Sequence, residues 1–187
     1  MNKASETASF FKNFSALFSG LVLVQIINFL FSLVLPKYFA PADFAEFGIF
    51  TSVVFILIEV VNAKLDIVVM LGKDDDETKK ILNAAFTIAV IIFSILLLVE
   101  LLFLFFLPKI YFLLPFTILL YGIHQPVLVY LNKQEKYAAV NYFRILQVLT
   151  TCAVTLLLAF QNVAHALVYG FIAGLTAATL LVLFYYR

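Results

Sequence analysis

The sequence predicts an all-α integral membrane protein with six transmembrane helices and both termini in the cytoplasm. Of its 187 residues, 65% are hydrophobic and only 12% are charged, whereas a soluble domain carries roughly 25% charged residues. So few charges do not cover a water-soluble surface. The alternative solvent is lipid, in which backbone groups pair within helices or closed barrels. The apolar stretches are continuous rather than alternating, and this pattern favours helices.

Six stretches are long enough to span a bilayer. A span needs about 20 apolar residues, because each adds 1.5 Å toward roughly 30 Å of hydrocarbon. Such stretches occupy residues 15–35, 42–63, 81–107, 113–131, 141–160 and 163–185, which form one transmembrane domain over 15–187. In the preceding segment, 1–14, aromatic residues recur at helical spacing beside Lys3 and Lys12. This spacing is typical both of an interfacial amphipathic helix and of an extension of the first span.

The positions of the basic residues predict the orientation of the spans. Loops rich in lysine and arginine stay in the cytoplasm. With the N-terminus inside, only Lys37 and Lys109 of the 12 lysines and arginines fall outside. We therefore expect an N-in, C-in topology.

The remaining composition argues against several classes of function. The net charge is +1, and no basic stripe interleaved with aromatic residues suggests nucleic acid as a partner. The single cysteine, Cys152, forms no internal disulfide. The acidic run at 73–80 fits a solvated loop with an aspartate N-cap and Glu77 near the start of the third span. No enzyme motif and no metal set are apparent, so we expect no cofactor and no metal.

Polar residues within the spans are the best candidates for function, because hydrocarbon penalises an ionisable side chain by about 2.5–3.5 kcal/mol on insertion scales. Glu100 lies well inside the third span and does not easily reach water along a straight helix. Glu59 and Asp66 share one helical face at the end of the second span. The other candidates are Gln25, Asn28, Lys64, His124, Gln125 and Arg144.

These residues have a functional and a structural interpretation. In the first, they line a hydrated cavity in which carboxylates and His124 bind a cation or proton and polar groups hold a substrate. In the second, Arg144 extends to the cytoplasmic surface, Lys64 and Asp66 lie at the interface, and the amides of the first span bond neighbouring helices. The sequence leaves both interpretations open.

Two further features concern helix shape and packing. Pro126 follows Gly122 within the fourth span, and a proline beside polar residues is typical of broken transporter helices, although a passive kink explains it equally well. The sixth span carries small residues at i+4 spacing, which favour close packing against another helix of this chain over dimerisation. These are Ala166, Gly170, Gly174 and Ala178.

Three stretches occur in an order and spacing typical of one family. The first, LPKYFAPADFAEFG at 35–48, places a proline-basic pair before a pattern of the gly-pro-glu-phe-gly type, with Ala40 in place of the usual glycine. The second, AKLDIVVMLGKDDDE at 63–77, runs into an acidic loop, with Ala63-Lys64 where the family often has arginine-tyrosine. The third comprises Leu114-Pro115, Gly122-Ile123-His124-Gln125, Leu131-Asn132-Lys133 and Arg144-Ile145-Leu146-Gln147.

Over about 14–158 the chain thus resembles the polysaccharide-export flippases, the O-antigen, capsule and teichuronic acid branch of the multidrug/oligosaccharidyl-lipid/polysaccharide exporter superfamily. The resemblance implies one lobe of a two-lobe, MATE-like flippase in a bacterial or archaeal cytoplasmic (inner) membrane. Such a protein moves an oligosaccharide on an undecaprenyl-type lipid by ion-coupled alternating access. By the same resemblance, the substrate-side candidates are Lys64, His124, Gln125, Arg144, Gln25 and Asn28, and the ion-coupling candidates are Glu100, Glu59 and Asp66.

The resemblance also implies partners. Because members of the family have a second lobe, we expect this chain to be the amino-terminal half of a longer protein, or to pair with a second copy. Membrane lipid and polysaccharide polymerase or assembly proteins are further expected partners. The alternatives are a multidrug or peptidoglycan-precursor transporter of the same superfamily, a membrane-embedded enzyme, or a non-transporting assembly subunit. The outer loops are too short for an enzyme of that kind, so we expect no enzymatic activity.

Overall fold

The computed structural model describes residues 3–62, 65–103 and 108–186, except for the side chains of 3–14, 16, 17, 62 and 66. These residues form seven α-helices: α1 (Lys3–Val34), α2 (Pro41–Asn62), α3 (Leu65–Leu71), α4 (Asp75–Leu102), α5 (Leu114–Lys133), α6 (Tyr137–Phe160) and α7 (Ala166–Tyr186). All except α3 are long and apolar enough to cross a membrane. The predicted all-α class and the predicted number of spans are therefore confirmed.

Contacts between the connections define two ends of the bundle. At one end, which we call the lysine-rich end, α4 begins, α5 ends and α6 begins, with Lys79, Lys133 and Lys136 close to these termini. At the other, the short-loop end, Tyr38 after α1 stacks edge-on against Phe160 at the end of α6, with ring centroids 5.2 Å apart. The connections at 35–40 and 161–165 therefore share the short-loop end.

The backbone of α1 continues without interruption from Lys3 to Val34. It includes most of the segment predicted to precede the first span. The side chains of 3–14 lie outside the described part, so the interfacial helix and the extension of the span both stay predictions.

The stretch 64–80, predicted as a connection, contains the short helix α3. Its apolar residues drive it onto the bundle: Val69 is fully buried and packs with Leu82 of α4 and Val127 of α5. Asp66 belongs to this helix. The expectation that Asp66 shares a helical face with Glu59 stays a prediction, because residues 63 and 64 and the side chain of Asp66 lie outside the described part.

The turn between α3 and α4 is held by capping and by a lysine. Asp74 is the N-cap of α4, and its Oδ1 accepts the backbone N–H of Glu77 at 2.7 Å, which confirms the predicted aspartate cap. From α5, Lys133 Nζ donates to the carbonyls of Gly72 at 2.6 Å and Val69 at 3.1 Å. It also donates to Thr78 Oγ1 at 2.6 Å. Positive charge at the C-terminal carbonyls of α3 is favourable for the helix dipole.

Helices α5 and α7 occupy the centre of the bundle. In each, 44% of the apolar span is buried, against 6% for α1. One apolar cluster joins α3, α4, α5, α6 and α7 near the lysine-rich end, and a second joins α2, α4, α5 and α7. Helix α5 continues through Pro126. It approaches α4 closely at Gly122, where a Cβ would lie 2.6 Å from that of Ala89.

Helices α6 and α7 pack face to face through the small residues of α7. A Cβ at Gly170 would collide with the Thr155 hydroxyl of α6, and a Cβ at Gly174 would collide with that of Thr151. Ala166 and Ala178 on the same stripe are also buried. The predicted packing of this stripe against another helix of the same chain is confirmed.

Candidate functional site

A cleft of about 290 Å³ lies between α1, α2, α6 and α7. Most of its lining is apolar, but polar side chains from two helices reach it. Its lining residues are Asn28, Phe31, Leu35, Phe47, Gln147, Val148, Thr151, Thr155, Leu167 and Phe171. Because all four helices are long and apolar enough to cross a membrane, these polar groups are placed within the thickness of the bundle rather than in a loop.

The polar lining follows one stripe along α6. Arg144, Gln147, Thr151 and Thr155 occur at spacings of three or four residues, which places them on one helical face. Gln147, Thr151 and Thr155 line the cleft, and Arg144 precedes them toward the lysine-rich end. A continuous polar stripe in an apolar bundle provides a series of hydrogen-bonding groups across part of the membrane thickness.

The cleft is connected to the centre of the bundle through an aromatic residue. Tyr121 on α5 lies beside the side chain of Gln147. The Tyr121 ring also contacts Phe171 of α7, with centroids 6.0 Å apart, and Phe55 of α2, at 6.3 Å. These ring contacts hold Tyr121 in place beside Gln147.

Thr155 carries an unusual hydroxyl. Its side chain is 1% exposed, and Oγ1 has no hydrogen-bond partner within the residues that the structure describes. A buried hydroxyl without a partner costs about 1–3 kcal/mol. The hydroxyl packs against Gly170 of α7, so it belongs to the contact between α6 and α7 rather than to the open part of the cleft.

A second group of polar side chains lies between α5 and α6. His124 is 2% exposed, and neither ring nitrogen has a hydrogen-bond partner in the described part of the chain. Arg144 of α6 is close enough to interact with it electrostatically. The structure thus brings two of the predicted substrate-side residues together, beside the stripe that leads into the cleft.

Glu100 continues the buried face of α4 toward the short-loop end. Its side chain is 5% exposed, and Oε2 has no hydrogen-bond partner in 3–62, 65–103 and 108–186. Glu59 lies on an exposed part of α2 near its other end, at Asn62. Since α2 begins and α4 ends at the short-loop end, the two carboxylates lie toward opposite ends of the bundle.

The other predicted site residues are dispersed. Asn28 lines the cleft, whereas Gln25, one turn earlier on α1, is exposed. Gln125 is half-buried on α5 beside His124. Lys64 and the side chain of Asp66 lie outside the described residues.

Sequence reasoning missed two groups. Thr151 and Thr155 extend the polar stripe of Gln147, and their i+4 spacing was the available signal. His165 and Glu46 form a pair at the short-loop end, with Nδ1 and Oε2 2.7 Å apart. Only the tertiary fold brings these two together, since 119 positions separate them in sequence.

The described residues contain no group of three or more His, Cys, Asp or Glu side chains close enough to hold a metal ion. The polar groups that line the cleft are amides and hydroxyls, and the Arg144 guanidinium lies outside it on the same face of α6. These groups form hydrogen bonds to sugar hydroxyls and to phosphate oxygens.

Comparisons of this chain with protein-family models, with curated proteins and with solved structures return no match.

Proposed function

We propose that this chain is one lobe of an alternating-access transporter that flips a lipid-linked oligosaccharide from the cytoplasmic to the outer leaflet. The carrier lipid is of the undecaprenyl type, and the membrane is the cytoplasmic membrane of a bacterium or archaeon. The observation that carries the proposal is the polar stripe of α6, which enters a cleft within an otherwise apolar bundle. The resemblance at 35–48, 63–77 and 114–147 supports it.

The polar groups suit the parts of such a substrate. Asn28, Gln147 and Thr151 offer donors and acceptors for sugar hydroxyls. Arg144, at the start of the stripe, suits a diphosphate, because guanidinium binds phosphate oxygens in a bidentate manner. His124, Gln125 and Lys64 remain substrate-side candidates in this proposal, as does Gln25.

The carboxylates have the coupling role. Glu100, Glu59 and Asp66 are the candidates for binding the coupling ion. Glu100 is the strongest of them, because its buried carboxyl oxygen is without a partner among the described residues. A carboxyl group held in an apolar bundle exchanges a proton or binds a cation as the site gains and loses access to water.

The size of the cleft favours a second lobe. Pockets for drug-sized ligands measure about 300–1,000 Å³, so a cleft of about 290 Å³ does not enclose an oligosaccharide on its own. In our proposal, a second lobe or a second copy faces the cleft and completes the cavity. Polysaccharide polymerase or assembly proteins would then receive the product.

The N-in, C-in topology is part of the proposal and has its own test. In a Cys152→Ser background, Lys80→Cys places a thiol at the lysine-rich end and Asn162→Cys places one at the short-loop end. Both positions are exposed. An impermeant maleimide applied to intact cells should label the second variant only. Labelling of the Lys80→Cys variant alone would show the opposite topology, with both termini outside the cell.

The flippase activity is tested by export of surface polysaccharide in cells that depend on this gene. Gln147→Ala should reduce surface polysaccharide and cause its lipid-linked unit to accumulate on the cytoplasmic face. Gln161→Ala is the matched control, because Gln161 is exposed and does not line the cleft. Unchanged export with Gln147→Ala, at equal protein level, would remove the cleft from the transport path.

The mass of the native product tests the two-lobe arrangement. A tag behind Met1 at the chromosomal gene gives a membrane band whose mass is compared with the 21.1 kDa of this chain. A band of about twice that mass fits two lobes in one protein. A band near 21.1 kDa requires a dimer or partner, and a monomer of that size would refute the transporter proposal.

A further inference from the structure

Two cavities adjoin at the lysine-rich end of the bundle. The first, of about 400 Å³, is lined by polar and aromatic groups that include Lys79, Gln134, Lys136, Tyr130, Tyr185 and Tyr186. The second, of about 330 Å³, lies between α6 and α7. Its lining is aliphatic and aromatic and consists of Ala139, Tyr142, Phe143, Leu181, Phe184 and Tyr185. Tyr185 lines both, so a polar compartment and an apolar compartment meet at its ring.

The charges of the polar compartment are arranged around Lys136. Lys79 is already paired with Asp75, with Nζ and Oδ2 2.6 Å apart, so this pair adds little net charge. The ammonium of Lys136 lies 5.5 Å from the centre of the Tyr185 ring, a cation–π distance. Among the described residues that line the two compartments, Lys136 therefore contributes a positive charge at their junction.

Hydrogen bonds and ring contacts fix the walls of the polar compartment. Tyr130 donates its hydroxyl to Asp75 Oδ1 at 2.9 Å and accepts a bond from the Gln134 amide. Its ring contacts that of Tyr186 edge-on, with centroids 5.5 Å apart. The Tyr185 ring is similarly held against Phe143 of α6, at 5.7 Å. The compartment is thus built from groups that already have defined positions.

We infer that these two compartments bind an anionic phospholipid, with its phosphate headgroup beside Lys136 and one acyl chain between α6 and α7. Lysine ammonium groups and tyrosine hydroxyls donate hydrogen bonds to phosphate oxygens. Basic residues at the membrane surface also attract anionic lipids. Inorganic phosphate would make no use of the adjoining apolar groove, and a lipid without net charge would gain little from Lys136. The inference is independent of the transport proposal, since none of these residues lines the cleft.

Native mass spectrometry of the purified full chain tests this site. The protein is mixed with phosphatidylglycerol, with phosphatidylcholine, or with inorganic phosphate, and bound lipid is counted. Loss of one lysine near an anionic surface is worth about 1 kcal/mol, or roughly fivefold in affinity. Lys136→Gln should therefore reduce phosphatidylglycerol binding about fivefold. Lys80→Gln, an equal change in charge at an exposed residue outside both cavities, should leave it within about twofold.

A second pair of variants tests the groove. Ala139→Phe fills the apolar compartment and should also reduce phosphatidylglycerol binding, whereas Leu180→Phe on the exposed surface of α7 should not. Thermal melting checks that each variant is folded.

Three results would overturn the inference. The first is an equal loss of phosphatidylglycerol binding in the Lys136→Gln and Lys80→Gln variants, which would indicate general attraction of the lipid to the charged surface. The second is equal binding of phosphatidylcholine and phosphatidylglycerol. The third is displacement of the lipid by inorganic phosphate, which would indicate a site for the free anion.

Discussion

Glu46 on α2 and His165 before α7 are hydrogen-bonded across the short-loop end, with the imidazole Nδ1–H donating to the carboxylate Oε2 at 2.7 Å. The bond connects the start of α2 to the turn between α6 and α7. His165 itself has φ 60, a left-handed conformation that histidine and asparagine tolerate better than most residues. The pair therefore links two helix termini at a position where the chain also makes a tight turn.

Removal of this bond should destabilise the protein modestly. Both side chains are about one-third exposed, so solvent screens the interaction. We expect Glu46→Leu to lower the free energy of unfolding by about 0.5–1 kcal/mol. His165→Asn keeps the left-handed turn and should have a similar effect. Unfolding in mixed micelles measures both. A double variant that loses the full sum of the two effects would show that the residues do not interact.

Gly170→Ala should destabilise the protein strongly. The new Cβ would lie 2.9 Å from Thr155 Cβ and 3.0 Å from its Cα, so α6 and α7 must separate. Overpacking of this kind costs about 1–3 kcal/mol. Gly48→Ala is the matched control, since nothing lies within 4 Å of a Cβ there. It should leave stability unchanged or raise it by up to about 1 kcal/mol. Equal melting temperatures for the two variants would contradict the close contact.

Lys133→Met should weaken the attachment of the α3–α4 turn to α5. The ammonium donates to Gly72, Val69 and Thr78, and each hydrogen bond to a charged group is worth about 1.5–3 kcal/mol. Because water replaces some of these bonds, we expect a net loss of about 2–3 kcal/mol. Proteolysis between α3 and α4 should also become faster. Lys80→Met, at an exposed position, should change neither result. An unaltered cleavage rate for Lys133→Met would refute the anchoring role.

Thr155→Val should stabilise the protein. Valine has nearly the shape of threonine but lacks the buried hydroxyl that has no partner among the described residues, so we expect a gain of about 1 kcal/mol. Thr155→Ser, which keeps the hydroxyl, should not show this gain. Thermal melting of the two variants measures the difference. A melting temperature of Thr155→Val no higher than that of Thr155→Ser would contradict the cost of the unpaired hydroxyl.

The class of fold could be predicted from the sequence because bilayer thickness sets the length of an apolar helix. Every predicted span overlaps a helix that is long and apolar enough to cross a membrane. The short helix α3 was not predicted, since a seven-residue apolar segment is stable only through its packing on α4 and α5. The seven residues of α3 do not by themselves specify that packing.

The candidate site could be predicted only in part. Asn28 and Arg144 were identified because polar residues are rare at membrane depth, and both lie on or beside the α6 stripe or its cleft. Thr151 and Thr155 were missed, because threonine commonly bonds the backbone of its own helix and so attracts little attention in a span. Which face of α6 meets α1 depends on its contact with α7, and a single sequence does not specify that rotation.

The two glycines of α7 also fix its register along α6. In the structure, Thr155 faces Gly170 and Thr151 faces Gly174. A slide of α7 by one turn, about 5.4 Å, would in either direction place one threonine against an alanine of the same stripe, where the extra methyl group does not fit. Only in the observed alignment does each of the two threonines face a glycine. Helices α6 and α7 should therefore move as one rigid body, and any opening of the cleft must come from displacement of α1 or α2.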